Sequence, residues 1–122
     1  MPALKQFIKS IKYAIRGLGF VWQENNFKIQ LVIGFLVVIL MYVYDLSRLE
    51  KVALIIVIFA VFILEALNTI FEHLSDVLKP RLHSYIMIIK DIMAAVVLMA
   101  SIGALIIGLM VFWPYLFNKW IK

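Results

Sequence analysis

Polar residues line one face of the stretch E-A-L-N-T-I-F-E-H-L-S-D, at positions 65–76 of a chain that is otherwise strongly apolar. On a helix, positions i, i+3, i+4, i+7 and i+11 share one face. Those positions are occupied by Glu65, Asn68, Thr69, Glu72 and Asp76, which we call the acidic stripe. Three carboxylates on one face need cations or protons to offset their charge. The stripe therefore predicts a functional site.

The composition around the stripe is that of an integral membrane protein. Of 122 residues, 66% are hydrophobic, whereas soluble domains are about 45–50% apolar. The absence of cysteine excludes disulfides and thiolate metal sites, and two histidines without matching ligands argue against zinc. In a membrane protein, a net charge of +5 indicates topology and anionic lipid rather than nucleic acid. We expect one membrane domain, residues 1–122, without a signal peptide.

The apolar pattern predicts an all-α membrane fold with four elements. The first, at 3–22, carries lysines and an arginine beside an apolar face, which is typical of helices that lie in the headgroup plane. Three transmembrane spans follow, at 27–46, 52–72 and 91–113. The polar residues of 72–91 predict a long connection between the last two spans, and Pro114 predicts the end of the third.

The distribution of basic residues predicts the orientation of this multi-pass protein. Lysine and arginine concentrate in the N-terminal segment and in the connection after the second span, so both are expected in the cytoplasm. Glu24, Glu72 and Lys90 then lie at the same cytoplasmic interface. Glu65, seven residues before Glu72, lies about 10 Å deeper at 1.5 Å per residue. The acidic stripe therefore extends from water into the bilayer.

Three interpretations of the stripe follow from these positions. In the first, Glu24, Glu72 and Asp76 bind magnesium, Lys90 neutralises a nucleotide's phosphates, and Glu65 accepts a proton from a lipid hydroxyl; this is phosphoryl transfer from ATP to a membrane lipid. In the second, Glu65 couples proton movement in a small transporter. In the third, the polar groups hold helices together. The chain contains neither a glycine-rich phosphate loop nor a protein-kinase signature.

The acidic stripe, followed by K-D at 90–91, resembles the hallmark of the small prokaryotic diacylglycerol kinase and undecaprenol kinase family, E-x-x-N-[ST]-x-x-E-x-x-x-D and then a lysine-aspartate pair. The stretches K-Y-A-I-R-G at 12–17 and E-N-N-F-K at 24–28 agree with it. The resemblance covers residues 5 to about 112. It implies a bacterial inner-membrane homotrimer whose subunits each have a surface helix and three transmembrane helices, with active sites shared between subunits.

The resemblance also implies roles for individual residues in a lipid kinase that uses ATP and Mg²⁺. Glu65 would be the catalytic base, Asn68 would orient the reacting groups, and both would meet the lipid together with Thr69. Glu24 and Glu72 would bind the metal. The nucleotide would be held by Tyr13, Glu24, Glu72, Asp76, His83, Lys90 and Asp91.

Two segments bear on nucleotide and substrate preference. Where the family usually has S/P-E-Y-H, this chain has Pro80-Arg81-Leu82-His83, and Met93 replaces a small residue after the lysine-aspartate pair. These departures leave a non-catalytic family member as an alternative. The stretch N-F-K-I-Q at 26–30 is closer to the N-F-R-I-H of undecaprenol-type members than to the F-R-Q-E of diacylglycerol-type members, which favours undecaprenol over diacylglycerol.

Overall fold

The computed structural model describes the backbone of residues 1–121 and the side chains of residues 1–78 and 84–117. Helix α1 runs from Pro2 to Trp22, α2 from Asn25 to Val43, and α3 from Arg48 to Ile121. All three elements are helical, which confirms the predicted all-α fold. Helix α1 covers the segment predicted as the surface helix, and its position at a membrane surface stays a prediction.

Helix α3 consists of two antiparallel arms, Arg48–Leu78 and Ser84–Phe117. In a straight helix, Glu50 and Tyr115 would lie about 98 Å apart at 1.5 Å per residue. Instead, the hydroxyl of Tyr115 donates a hydrogen bond to the carboxylate of Glu50. At the other end, Nζ of Lys90 lies 3.9 Å from Oδ1 of Asp76. With α2, the arms give three helical segments in the described part of the chain that are long and apolar enough to cross a membrane.

The sequence prediction of a long polar connection at 72–91 is wrong. The backbone of this segment is helical throughout and belongs to α3. Ser75 and Ile86, within that segment, are each only 3% exposed. Tertiary packing therefore continues beyond the predicted end of the second span, and it keeps these residues helical.

The third span also differs from the prediction, because α3 continues through Pro114. A proline inside a helix removes one backbone hydrogen bond and crowds the preceding turn. Here Phe112 and Tyr115, on either side of Pro114, pack against a core cluster of buried side chains. We define the core cluster as Met41, Leu46 and Leu54. This packing offsets the cost of the proline.

The end of α2 is fixed by a compact backbone motif. The helix ends at Val43 rather than at residue 46, and Asp45 has a positive φ of 53°. The backbone N–H of Leu46 donates to the carbonyl of Met41 at 3.1 Å. Both of these side chains belong to the core cluster. This combination is a Schellman motif with its accompanying apolar contact.

The start of α3 is fixed by a capping box. The backbone N–H of Ser47 donates to Oε1 of Glu50 at 3.0 Å, and the N–H of Glu50 donates to Oγ of Ser47 at 3.3 Å. These reciprocal bonds satisfy two backbone donors that a helix start would otherwise leave unpaired. The turn between α2 and α3 is therefore fixed by a C-terminal motif on α2 and by a capping box on α3.

Helix α2 approaches the first arm of α3 closely at Gly34. A Cβ atom at this position would lie 3.1 Å from Cζ of Phe62 and 3.3 Å from Cγ2 of Ile58. Two turns before Gly34 on α2, the ring centroid of Phe27 lies 5.7 Å from that of Phe62. These contacts position α2 beside the part of α3 that carries the acidic stripe.

Candidate active site

The acidic stripe lies entirely on the first arm of α3, as its helical spacing requires. Glu65 and Thr69 are buried, Asn68 and Glu72 are half-buried, and Asp76 is exposed. Burial therefore decreases along the stripe from Glu65 towards Asp76. This burial is against neighbouring helices, and the order of depth in a membrane stays a prediction.

Glu65 is the most enclosed acid in the described part of the chain, with 2% of its surface exposed. Its Oε2 accepts a hydrogen bond from Nε2 of Gln30 at 3.3 Å. One turn further along α3, the hydroxyl of Thr69 donates to the backbone carbonyl of Glu65 at 3.2 Å. A carboxylate held in place, with free lone pairs and little contact with water, is suited to accept a proton from a bound group.

Gln30 is a site residue that the sequence reasoning missed. Its depth provides a usable signal, because Gln30 follows Glu24 by six residues and Glu65 precedes Glu72 by seven. Since Glu24 and Glu72 are expected at one interface, Gln30 and Glu65 fall about 9–10 Å below it on antiparallel helices. A polar amide at the depth of a buried acid is a candidate partner for it.

Glu72 and Asn68 form the middle of the site. Nδ2 of Asn68 donates to Oε1 of Glu72 at 3.3 Å. The charges of Glu72 and Glu24 both act on Glu65, so the three carboxylates occupy one region of the structure. Among the described residues, no three acidic, histidine or cysteine side chains are arranged to hold a metal ion.

Glu24 stands immediately before α2, in an extended conformation with φ −78° and ψ 127°. This is the N-cap position, where acidic side chains often bond to the exposed N–H groups of the first turn. The side chain of Glu24 makes no such bond. Its carboxylate is therefore not used for capping.

The predicted nucleotide-binding residues are only partly brought together in the single chain. Lys90 forms an ion pair with Asp76, and Asp91 is exposed beside it. Tyr13 is exposed on α1, where its ring lies 5.8 Å from the guanidinium carbon of Arg16. Within the described residues, no hydrogen bond, ion pair or ring contact joins Tyr13 to the acidic stripe. The side chain of His83 lies outside the described residues.

The fold and the site together define a class of protein. It is a helical membrane protein in which buried Glu65 shares a helix face with the more exposed acids Glu72 and Asp76. Comparison with known proteins makes this class specific. The family model for prokaryotic diacylglycerol kinase matches residues 12–112. The chain is also 32% identical over 117 residues to the undecaprenol kinase of Bacillus subtilis (strain 168), and the match covers 93% of each chain. No solved structure matches the chain.

The chain therefore belongs to the prokaryotic diacylglycerol kinase family. It is a lipid kinase, a membrane-embedded transferase, as the resemblance of its acidic stripe predicts.

Proposed function

We propose that this lipid kinase transfers the γ-phosphate of ATP to the primary hydroxyl of undecaprenol. The supporting observation is that Glu65 and Glu72 share one helix face, where Glu65 is buried and Glu72 is more accessible. A buried base can meet a lipid hydroxyl while the phosphates stay in water. The undecaprenol kinase of Bacillus subtilis supports the choice of acceptor.

The transfer step requires one base and one aligned phosphate. Glu65 takes the proton of the hydroxyl as the hydroxyl oxygen forms a bond to the γ-phosphorus. The bond from that phosphorus to the oxygen bridging the β-phosphate breaks, and its electron pair leaves with ADP. Gln30 holds the carboxylate of Glu65 in place, while Asn68 orients Glu72 and the groups between the two acids.

The carboxylates of Glu24 and Glu72 fit a magnesium ion. This ion commonly takes one or two protein carboxylates and fills its shell with water and phosphate oxygens, so a preformed cluster of three acids is not required. The Glu24 carboxylate is not used for capping, and Asn68 occupies one oxygen of Glu72. Bound there, magnesium would neutralise charge on the phosphates of the nucleotide.

The remaining nucleotide contacts are assigned to residues at the same end of the bundle. Asp76, Lys90 and Asp91 lie at the outer end of the acidic stripe, and Tyr13 and His83 complete the proposed set. The N-terminus and the junction of the two arms of α3 would face the cytoplasm of a bacterial cell, where ATP is available. The protein would reside in the inner membrane.

We further propose that the active protein is a homotrimer with active sites shared between subunits. The exposed position of Tyr13 supports this arrangement, since another copy could bring such a side chain to the acidic stripe. Many large apolar side chains of α2 and α3 are also exposed in the single chain, which leaves apolar surface for contacts with other copies and with lipid.

The test is a transfer assay with purified protein in lipid bicelles, γ-labelled ATP and magnesium. Undecaprenol and diacylglycerol are supplied in separate reactions at matched mole fractions. We expect label on undecaprenol, at a higher kcat/KM than on diacylglycerol. Label on neither lipid would reject the proposed reaction, and a preference for diacylglycerol would reject the proposed acceptor. Omission of magnesium, with EDTA present, should abolish transfer.

A further inference from the structure

Gln30 carries one satisfied and one unsatisfied polar atom. A carboxylate accepts hydrogen bonds, so the Nε2 donor of Gln30 faces Glu65 and its Oε1 points elsewhere. That Oε1 is buried and has no hydrogen-bond partner among the described residues. Burial of an unpaired carbonyl oxygen is costly. The position is therefore suited to a ligand that offers a hydrogen-bond donor.

The same residue lines an apolar cavity of about 580 Å³. The cavity lies between α2 and both arms of α3 and reaches from Gln30 to Tyr44, about 21 Å along α2. Apart from Gln30, Tyr44 and Ser101, its lining side chains are apolar or glycine. Its volume is within the range of small-molecule sites, about 300–1,000 Å³. Because Gln30 both lines the cavity and donates a hydrogen bond to Glu65, the cavity adjoins the candidate active site.

We propose that Gln30 accepts a hydrogen bond from the hydroxyl of a long-chain monoalcohol, and that the adjoining hydrocarbon chain occupies this cavity. The inference rests on the proposed function, because the occupant is the acceptor lipid of that reaction. The remainder of a longer chain stays in the bilayer.

The chemistry of the cavity selects among lipid alcohols. A polyprenol offers one hydroxyl donor and otherwise only hydrocarbon, which matches one buried acceptor beside an apolar channel. A diacylglycerol adds ester carbonyls close to its hydroxyl. These are acceptors, and they would lie unpaired next to the oxygen of Gln30. Gln30 is therefore a specificity-determining residue that favours the polyprenol.

Gln30 also places the hydroxyl for transfer. Before reaction the hydroxyl donates to Oε1 of Gln30, next to the carboxylate that Nε2 of the same amide holds. When the γ-phosphate aligns, the proton passes to Glu65 and the hydroxyl oxygen bonds to phosphorus. The bond from the γ-phosphorus to the oxygen that bridges the β- and γ-phosphates breaks, and its electron pair leaves with ADP. The amide thus aligns the acceptor and the base without exchanging a proton itself.

The first test is Gln30→Met, which keeps the approximate length of the side chain and removes both polar atoms. We expect the KM for undecaprenol to rise about tenfold, the equivalent of one hydrogen bond, while the KM for ATP stays unchanged. The preference for undecaprenol over diacylglycerol should fall. A lower kcat with an unchanged lipid KM would show that Gln30 only positions Glu65, and it would overturn the proposal.

The second test fills the cavity with a matched pair of variants. Gly108 lines the cavity and Gly103 does not, and a Cβ atom at either position meets nothing within 4 Å. We expect Gly108→Leu to raise the KM for undecaprenol and Gly103→Leu to leave it unchanged. Equal effects, or none, would overturn the proposal. So would a loss of oligomeric state in Gly108→Leu alone, because a second copy would then be the occupant.

Direct binding separates this inference from the proposed function. A polyprenol with a photoreactive group in its chain, added without ATP, should label cavity residues of the unaltered protein and label Gly108→Leu less. Labelling without any phosphoryl transfer would reject the function and retain the lipid site. Transfer to undecaprenol without labelling of the cavity would retain the function and reject the site.

Discussion

The hydroxyl of Tyr115 donates a hydrogen bond to the carboxylate of Glu50, which stands 65 positions earlier in the chain. Glu50 also closes the capping box with Ser47, so one carboxylate starts α3 and binds its far end. This contact lies 15 residues, or about 22 Å, from Glu65 along the first arm. Structural contacts and candidate chemistry therefore occupy opposite ends of the bundle.

Tyr115→Phe should lower stability without removing activity. The substitution deletes one hydrogen bond to a carboxylate, worth about 1 kcal/mol at a partly exposed position. We expect a fall of a few degrees in the unfolding midpoint, measured by circular dichroism in detergent, and near-normal transfer at low temperature. Tyr85→Phe, at an exposed position of the same arm, is the control and should leave the midpoint unchanged. A loss of transfer in the folded Tyr115→Phe protein would contradict this separation of roles.

Glu65→Gln should remove most catalysis and preserve nucleotide binding. The amide has a similar shape but cannot accept the hydroxyl proton, and loss of a general base costs about 10²–10⁴-fold in rate. We expect kcat to fall at least about 100-fold, with little change in the KM for ATP. His73→Gln changes an exposed residue of the same arm and should retain full activity. Half of the normal rate in Glu65→Gln would exclude its role as the base.

Glu24→Gln and Glu72→Gln should each increase the magnesium concentration needed for half-maximal transfer. Each variant replaces a charged oxygen ligand by a neutral, weaker one. The measurement is a magnesium titration at fixed ATP. Asp45→Asn is a matched control at the opposite end of the bundle, where asparagine tolerates the positive φ. An unchanged titration midpoint in both glutamate variants would remove them from the metal site.

Gly34→Ala should destabilise the helix pair formed by α2 and the first arm of α3. The added methyl would lie 3.1 Å from the ring of Phe62, which has to shift to admit it. Gly103→Ala is the control, because it meets open space and gains up to about 1 kcal/mol of helix propensity. We expect the unfolding midpoint to fall in the first variant and to hold or rise in the second. The reverse order would show that α2 and α3 do not approach closely at Gly34.

Mixing two inactive variants tests the shared active site. Tyr13→Ala and Glu65→Gln damage different parts of the proposed site, and a shared site would draw these parts from different subunits. Subunits of the two variants, unfolded and refolded together, should then show more activity than either variant alone. If each subunit contained a complete site, the mixture would stay as inactive as its components.

The sequence predicts the acidic stripe well, because a 3.6-residue period by itself determines which side chains share a helix face. That inference does not depend on how the helices pack. The burial of Glu65 and its bond with Gln30 do depend on packing, because α2 and α3 must first be set in register.

Helix boundaries are predicted less well, because they too depend on how the helices pack. Pro114 normally ends a helix, yet contacts of Phe112 and Tyr115 with the core cluster carry α3 past it. At the other end, polar residues suggest a loop where Ser75 and Ile86 are buried in helices. In both places, tertiary contacts override a local signal.

The turn at residues 44–47 also determines the angular phase of α3. Its two caps fix the start of the helix at Arg48. Each residue after Arg48 adds a rotation of about 100° about the helix axis. The direction in which Glu65 points is thus set about 26 Å away, at the opposite end of the bundle. One residue inserted within α3, between Arg48 and Glu65, would rotate the acidic stripe by about 100°, away from Gln30. The point at which the caps start α3 thus fixes the direction of a carboxylate at the other end of the bundle.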